Sequence, residues 1–377
     1  MKRLCCFFNY NPIYRYPIYR AMDEELECDF YFGDSVFEPL KQFAPNTLKG
    51  FRVMLHAVST KVSVFVWHQG ISKLFIGYSD YLVTGQHDYL SNWLLILFAK
   101  LTGRHIYCWS HGASESSLKG FKSRMLNKYF FRCMDGIFLY GSYHIPAMKK
   151  IGIKEKKMHI IHNSLDTYVQ TELYRQGLQS NIYQQHFGNS HPTIIYIGRI
   201  QTRKKLNLLI EALEILNHQT PIVNLVIVGA PTDDHTIESM VTKRGQNDYV
   251  WFYGPCFDEQ KNAELLYNAA VCVCPAAVGL TAIHALSYGT PVVSNDDFEH
   301  QMPEFEAIID QQTGSFYQTE NVQSLATEIL RWIQKTPAER QTIRDIARQT
   351  IEASWSINYQ ISLLRAAFPQ YIHTSSN

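Results

Sequence analysis

The sequence predicts an α/β fold of two domains, each a parallel sheet covered by helices on both faces. Three observations lead there. Short β-rich runs alternate with amphipathic runs through the second half of the chain. The length, 377 residues, exceeds the size at which one core usually keeps growing. The polar stretch Asp166–Pro192, with scattered Gln, Asn and Gly and weak periodicity, reads as a linker between two halves.

In the first half, Arg3–Phe8 is almost wholly apolar and suits a buried first strand, and its apolar part is too short for a signal peptide. A helix is expected near Ile13–Glu25 and a strand at Cys28–Phe32, whereas Lys41–Tyr78 shows no clear period. Strands follow at Tyr81–Gly85, His105–Ser110 and Gly136–Tyr140, with helices near Leu90–Leu101 and Glu115–Cys133. The expected N-terminal domain is 1–168, completed by a C-terminal helix over 354–377. The second domain, 169–353, takes strands at Thr193–Gly198, Val223–Gly229, Tyr249–Tyr253, Val271–Pro275, Thr290–Ser294 and Gly314–Tyr317. Its helices are expected near Leu206–Leu216, Asp258–Ala269, Thr281–Tyr288, Val322–Gln334 and Ala338–Ala353.

Charge is divided unevenly. Residues 1–160 hold 21 Lys+Arg against 12 Asp+Glu, a balance of +9, which leaves 14 against 22, or −8, for the remainder. Lys119, Lys122, Arg124, Lys128 and Arg132 interleave with Phe121, Met125, Leu126, Tyr129, Phe130 and Phe131. Two readings stand: peripheral contact with an anionic membrane, and a solvated helix with a buried aromatic face. Nucleic acid is not an expected partner, because the whole chain is not basic and carries no binding motif. The longest apolar run, Trp93 to Ala99, falls far short of the roughly 20 residues of a membrane helix. Eight cysteines with neither a CxxC pair nor zinc spacing read as reduced thiols, which favours a cytoplasmic setting, or the inner face of a membrane.

The richest stretch is Pro275-Ala-Ala-Val-Gly-Leu-Thr-Ala-Ile-His-Ala-Leu-Ser-Tyr-Gly-Thr-Pro-Val-Val293, which reads as strand end, glycine loop, short helix, glycine stop and new strand. Gly279 lets a ligand approach the backbone, and the N–H groups of Leu280, Thr281 and Ala282 at the helix start are expected to face an anion. Gly289 is placed to end the helix left-handed, with Pro291 beyond it. After the strand Thr193–Gly198 comes Gly198-Arg-Ile-Gln-Thr-Arg-Lys-Lys205, where Arg199 and Lys204 are expected at a strand's carboxyl end. An ordinary strand-to-helix turn and a solvated basic turn are the plainer readings.

These stretches resemble the GT4 group of retaining nucleotide-sugar glycosyltransferases, whose GT-B fold has two Rossmann-like domains facing a cleft. The resemblance is specific over residues 193–335 and diffuse over residues 1–165. It implies that Arg199 and Lys204 bind the donor diphosphate and stabilise it as it leaves. Gly198, Gly279, Leu280 and Thr281 would complete the donor site, with Tyr253 and Gly254 under the nucleotide base. His111, in Tyr107-Cys-Trp-Ser-His-Gly-Ala113, matches the family histidine that reaches the donor sugar. Asn11, Tyr14 and Arg15 occupy the acceptor-side loop, although capping the helix after Pro12 would also explain Asn11. Ile161-His-Asn-Ser-Leu-Asp166 matches a structural turn that closes the first domain. The family places a glutamate at each of two positions that here are Ala276 and His284, and Lys205 replaces a glycine. His284 is the residue left to serve the donor, a hydrogen bond within its own domain being the alternative, and Asp296, Asp297, Glu299, Glu304 and Glu306 follow the next strand, from where they could reach the sugar from another side.

The resemblance thus implies a hexosyltransferase-like enzyme that moves a sugar from a nucleotide-diphosphate donor to a glycan or lipid-linked acceptor, as in bacterial surface polysaccharide synthesis. No cofactor and no metal are expected, since no Asp-x-Asp pair is present. The missing glutamates motivate the alternative of a non-catalytic relative that binds a nucleotide sugar or a partner enzyme. A dinucleotide oxidoreductase is disfavoured because no GxGxxG follows a strand.

Overall fold

The computed structural model describes residues 3–34, 41–59, 65–218, 220 and 222–373. The chain divides into two compact units, one of residues 1–165 with 357–377, the other of residues 166–356. Residues 374–377, at the end of the expected C-terminal helix, lie outside the described residues.

Unit one is built on β1 (Arg3–Phe8), β2 (Cys28–Gly33), β3 (Phe51–Leu55), the short pair β4 (Ala57–Ser59) and β5 (Val66–His68), then β6 (Tyr78–Thr84), β7 (His105–Ser110), β8 (Gly136–Leu139) and β9 (Met158–Ile160). Seven of these form one sheet in the order β3-β2-β1-β6-β7-β8-β9, all neighbours parallel, while β4 and β5 pair antiparallel. Helices α1 (Tyr16–Glu25), α2 (Leu90–Leu101), α3 (Phe121–Cys133) and α4 (Ile145–Lys150) lie between the strands. The unparsed region 41–78 therefore supplies β3, a hairpin and the start of β6; its strands are short and partly exposed, so alternation never becomes a clear signal.

Unit two carries β10 (Thr193–Ile197), β11 (Asn224–Val228), β12 (Val250–Gly254), β13 (Val271–Cys274), β14 (Val292–Asn295) and β15 (Gly314–Tyr317). The sheet is parallel throughout, in the order β12-β11-β10-β13-β14-β15. Helices α5 (Thr167–Arg175), α6 (Ile182–Phe187), α7 (Leu206–Asn217), α8 (Ile237–Lys243), α9 (Glu259–Asn268), α10 (Leu280–Ser287), α11 (Val322–Ile333) and α12 (Pro337–Ser354) surround it. On α7, Leu206, Leu209, Ile210 and Leu213 are each 0% exposed and pack against Ile194 and Tyr196. Full burial of each such side chain is worth about 2 kcal/mol. The last helix, α13 (Ile357–Ala367), returns to unit one, where Ile361 and Leu364 join Ile18 and Met22 of α1 in one core.

The expected linker is a correction. Residues 166–192 fold as α5 and α6, with Asp166 capping α5 through a bond from the Val169 N–H at 3.3 Å. Only Thr167 and Gln170 of α5 are buried, so the helix leaves almost no hydrophobic period in the sequence.

Candidate functional site

In unit two the strand order reverses between β10 and β13, and ligands of open parallel sheets sit beyond the carboxyl ends at such a point. Both strands end there in loops that the sequence singled out. β10 runs into Gly198 at φ 152, a backbone region that favours glycine, and the Gly198 carbonyl approaches Gly229 so closely that a Cβ there would lie 1.9 Å away. Beyond them, the turn Thr202–Lys204 leads through Lys205, left-handed at φ 52, into α7. A glycine is the usual occupant of that conformation, and the Lys205 ammonium is held instead against Glu320.

The second loop, Pro275–Gly279, is fixed from beneath by side chains. Asn295 Nδ2 donates to the Pro275 carbonyl at 3.1 Å and the Tyr317 hydroxyl donates to the same oxygen. Ser294 Oγ donates to the Ala276 carbonyl at 3.0 Å, and Lys204 Nζ to that of Ala277 at 2.8 Å. Gln301 Oε1 accepts from the Val278 N–H at 2.8 Å while its Nε2 donates to Ser294 Oγ and to Asn295, each at 3.0 Å. Thr281 Oγ1 donates to the Ile197 carbonyl at 3.2 Å, joining α10 to the end of β10. One backbone polar group on each of four consecutive residues thus has a fixed partner, so the loop is shaped before a ligand arrives.

Above this floor is a small pocket of about 30 Å³ lined by Gly198, Lys204, Pro275 to Gly279, Thr281 and the ends of β10 and β13. Burial holds the Lys204 ammonium below the usual lysine range, the nearby Arg203 and Arg199 add to this, and the Glu304 carboxylate opposes it. At the start of α10 the Ala282 N–H already donates to the Gly279 carbonyl at 2.9 Å, so of the three expected donors only Leu280 and Thr281 remain for an anion. Gly279 itself sits at φ −115. A Cβ there would meet nothing nearer than Met302 at 3.7 Å, so its use lies in the open space it leaves rather than in strain.

The other predicted donor-site residues, Arg199, Tyr253, Gly254, Leu280 and His284, lie outside the pocket lining. Arg199 is exposed and outside the pocket lining, with its carbonyl accepting from the Tyr196 hydroxyl at 2.7 Å. Tyr253 and Gly254 end β12, two strands from β10, and the Tyr253 ring packs 5.0 Å from that of Trp251. Ala276 lines the pocket. His284 does not: its Nε2 lies 2.9 Å from Glu259 Oε1, which also accepts from the Tyr288 hydroxyl at 2.7 Å and Gln170 Nε2 at 3.3 Å. Asp296 accepts from Thr319, and Asp297 meets His300 at 2.9 Å, so both have local partners. Glu304 is 2% exposed. Among the described residues no three His, Cys, Asp or Glu side chains gather as metal ligands.

In unit one the acceptor-side candidates lie over the carboxyl ends of β1, β7 and β8. Arg15 is 8% exposed, its Cζ 4.8 Å from the Trp109 ring and 4.9 Å from that of Tyr140, whose hydroxyl accepts from the guanidinium. The Tyr14 ring lies 5.9 Å from the same Cζ. His111 follows β7 with its ring 4.6 Å from that of Tyr140, and it is exposed to solvent. Asn11 caps no helix; its Nδ2 donates to the Phe43 carbonyl. The turn after β9 is held by α13, where Gln360 accepts from Ser164 Oγ at 2.5 Å and donates to the His162 carbonyl at 2.9 Å. Sequence reasoning missed Gln301, Ser294, Asn295, Glu259 and Trp109, because a polar residue beside a strand carries no sign of which loop it will hold.

Residues 180–350 match the family described as Glycosyl transferases group 1. Over 113 residues the chain is 33% identical to a D-inositol 3-phosphate glycosyltransferase of Jonesia denitrificans, a match that covers 27% of this chain and 26% of that enzyme, about a quarter of its length. HepE of Anabaena, solved in complex with UDP, is similar in fold with TM-score 0.73 and 14% identity, covering 98% of this chain and all of that one (100%). The apo form of the lipopolysaccharide outer core galactosyltransferase WaaB gives a TM-score of 0.67 at 15% identity, covering 97% and 99%. The fold is GT-B, with two Rossmann-like units.

Proposed function

We propose, from a GT-B chain whose residues 180–350 match the group 1 glycosyltransferases, that the protein is a retaining hexosyltransferase of the GT4 type. Unit two takes a nucleotide-diphosphate sugar and unit one takes a glycan or lipid-linked acceptor. The observation that supports this best is the clamped loop at the strand reversal, with Lys204 and the start of α10 on one small pocket. The bond from the sugar's anomeric carbon to the diphosphate breaks, its electron pair leaving with the diphosphate, while an acceptor hydroxyl forms the new bond and gives up its proton. Fixed cations and backbone donors stabilise the charge growing on the leaving oxygen, an effect worth about 3–4 kcal/mol per well-placed donor. The GT4 resemblance assigns Arg199 to the donor diphosphate and His111 to the donor sugar.

The UDP bound to HepE supports a uridine nucleotide, and the D-inositol 3-phosphate in the name of the Jonesia enzyme supports a polyhydroxylated acceptor. Surface polysaccharide or lipid-linked glycan synthesis suits WaaB's similarity. Phe121 and Tyr129, 79% and 53% exposed beside the basic residues of α3, support contact with an anionic membrane surface. No helix of the described residues is long and apolar enough to cross one.

A non-catalytic, nucleotide-sugar-binding relative is favoured by one observation, the engagement of His284 by Glu259 where the family has a second glutamate. One experiment separates the readings. The full chain is incubated with a panel of nucleotide sugars and acceptor extracts while nucleotide release and the product's anomeric configuration are followed. Acceptor-dependent release with retention is expected. Tight nucleotide binding with no turnover on any donor would leave the non-catalytic reading in place.

A further inference from the structure

Arg15 is a buried guanidinium without a carboxylate. Arg3 and Arg52, on the same sheet, pair with Asp29 at 2.5 and 2.8 Å, and Arg365 with Glu25 at 3.0 Å. Among the described residues no acidic side chain pairs with Arg15; its neighbours are the hydroxyls of Tyr14, Tyr19 and Tyr140 and the rings that stack on it. Burying an unpaired charge costs several kcal/mol, and ring stacking returns only about 2 kcal/mol even when water is excluded. Every hydroxyl beside the guanidinium also carries a donor hydrogen. Two further polar atoms of the same neighbourhood are buried with no partner: Trp109 Nε1, in the ring under Arg15, and Asn11 Oδ1, four residues before it in a side chain 1% exposed. His111 and His144 add two more nitrogen-bearing rings. The cluster is rich in donors and lacks an anion.

We propose that this cluster is an oxyanion site: the acceptor carries a phosphate or carboxylate group, and Arg15 receives it with its planar fork, assisted by Trp109 Nε1–H and the tyrosine hydroxyls. A guanidinium matches both anions through two parallel N–H···O bonds. Asn11 Oδ1 is then left to accept from a hydroxyl of the same molecule. The proposal rests on the reading that unit one holds the acceptor. It gives acceptor choice to residues separate from the donor pocket, because a neutral sugar would leave the guanidinium unpaired.

The test uses the full chain with its six tryptophans labelled at the indole nitrogen, the Trp109 resonance being assigned with Trp109→Phe. Inorganic phosphate, glucuronate and glucose are titrated separately. The Trp109 resonance is expected to shift saturably with phosphate or glucuronate and to stay still with glucose. Response to phosphate alone identifies a phosphorylated acceptor; response to glucuronate as well identifies acidic sugars too. Arg15→Met should weaken the response at least tenfold while the other indole resonances keep their positions, and Arg15→Lys, which keeps charge without the fork, should fall between. A Trp109 resonance indifferent to both anions, or an unchanged response in Arg15→Met, overturns the proposal. If Arg15→Met does not fold, Arg15→Lys decides, an undiminished response counting against the fork. Nucleotide release is measured apart: a responsive Trp109 without turnover keeps the oxyanion site and removes glycosyl transfer, and turnover with a silent Trp109 does the reverse.

Discussion

Lys204 reaches the pocket at the strand reversal because its stem is covered and its ammonium is tied to the Ala277 carbonyl. Truncation should remove charge exactly where a leaving diphosphate would lie, so Lys204→Ala is expected to lower turnover by about 100- to 1,000-fold with the melting temperature nearly unchanged. An equal rate would place the phosphate site elsewhere. Since burial lowers the Lys204 pKa, the cation is lost on the alkaline side earlier than for an ordinary lysine. Nucleotide affinity should therefore weaken at alkaline pH, and Lys204→Arg, which stays charged, should flatten that fall; a parallel decline in both proteins would contradict the assignment. That Lys204, Gly279 and Thr281 come together at one pocket was legible in the sequence. That His284 turns to Glu259, and that the Ala282 N–H is already used, was not, because both depend on where α9 and the Gly279 carbonyl come to lie.

At the scale of elements, the Pro275–Gly279 loop depends on residues from β14 and the segment after it. Gln301 bridges the Val278 N–H to Ser294 and Asn295; Gln301→Ala leaves the Val278 N–H without its acceptor, while Ser294 and Asn295 keep their bonds to the loop carbonyls. A loss of about 1–3 kcal/mol in stability is expected, with a fall in nucleotide affinity as the loop loses its shape; differential unfolding and nucleotide titration read the two effects. Lys205 offers a test of opposite sign. Its left-handed backbone strains a side-chain-bearing residue by about 1–2 kcal/mol, and its exposed ion pair with Glu320 returns little. Lys205→Gly should therefore raise stability by about 1 kcal/mol, and a loss would mean that the ion pair matters more than the backbone. Helices α7 and α10 were legible from spacing and from Gly289, which at φ 72 ends α10 as its position suggested. Helix α5 was not, since its packing face is two polar residues.

The described residues build two large parallel sheets beside the small β4–β5 pair, and the buried strands of the large sheets explain why the fold class was legible from apolar runs. The return of α13 to unit one rests on Phe368, whose ring packs 4.8 Å from Tyr107, and on Tyr371, whose hydroxyl meets Asp80. These contacts join residues hundreds of positions apart, and no local pattern announces them. Stability should also carry a mark of unit one's core. His68, 1% exposed, is held by burial at a pKa of about 4, so between about 6.5 and 4 the unfolded chain binds a proton that the folded chain does not. Stability is then full above pH 6.5 and falls as pH drops toward 4, by up to about 3 kcal/mol for this residue. Denaturant titrations across that range should show the decline, and His68→Leu should reduce its slope; an equal slope would assign it to other groups.

The central claim is that the pocket between the ends of β10 and β13 holds the diphosphate of a nucleotide sugar. It is tested most directly by the affinities of a nucleoside, its monophosphate and its diphosphate for the full chain and for Lys204→Ala. With uridine compounds the account predicts a diphosphate at least 100-fold tighter than the nucleoside, and a difference that largely disappears in Lys204→Ala. Equal affinity for all three, or a diphosphate preference untouched by the substitution, would contradict it.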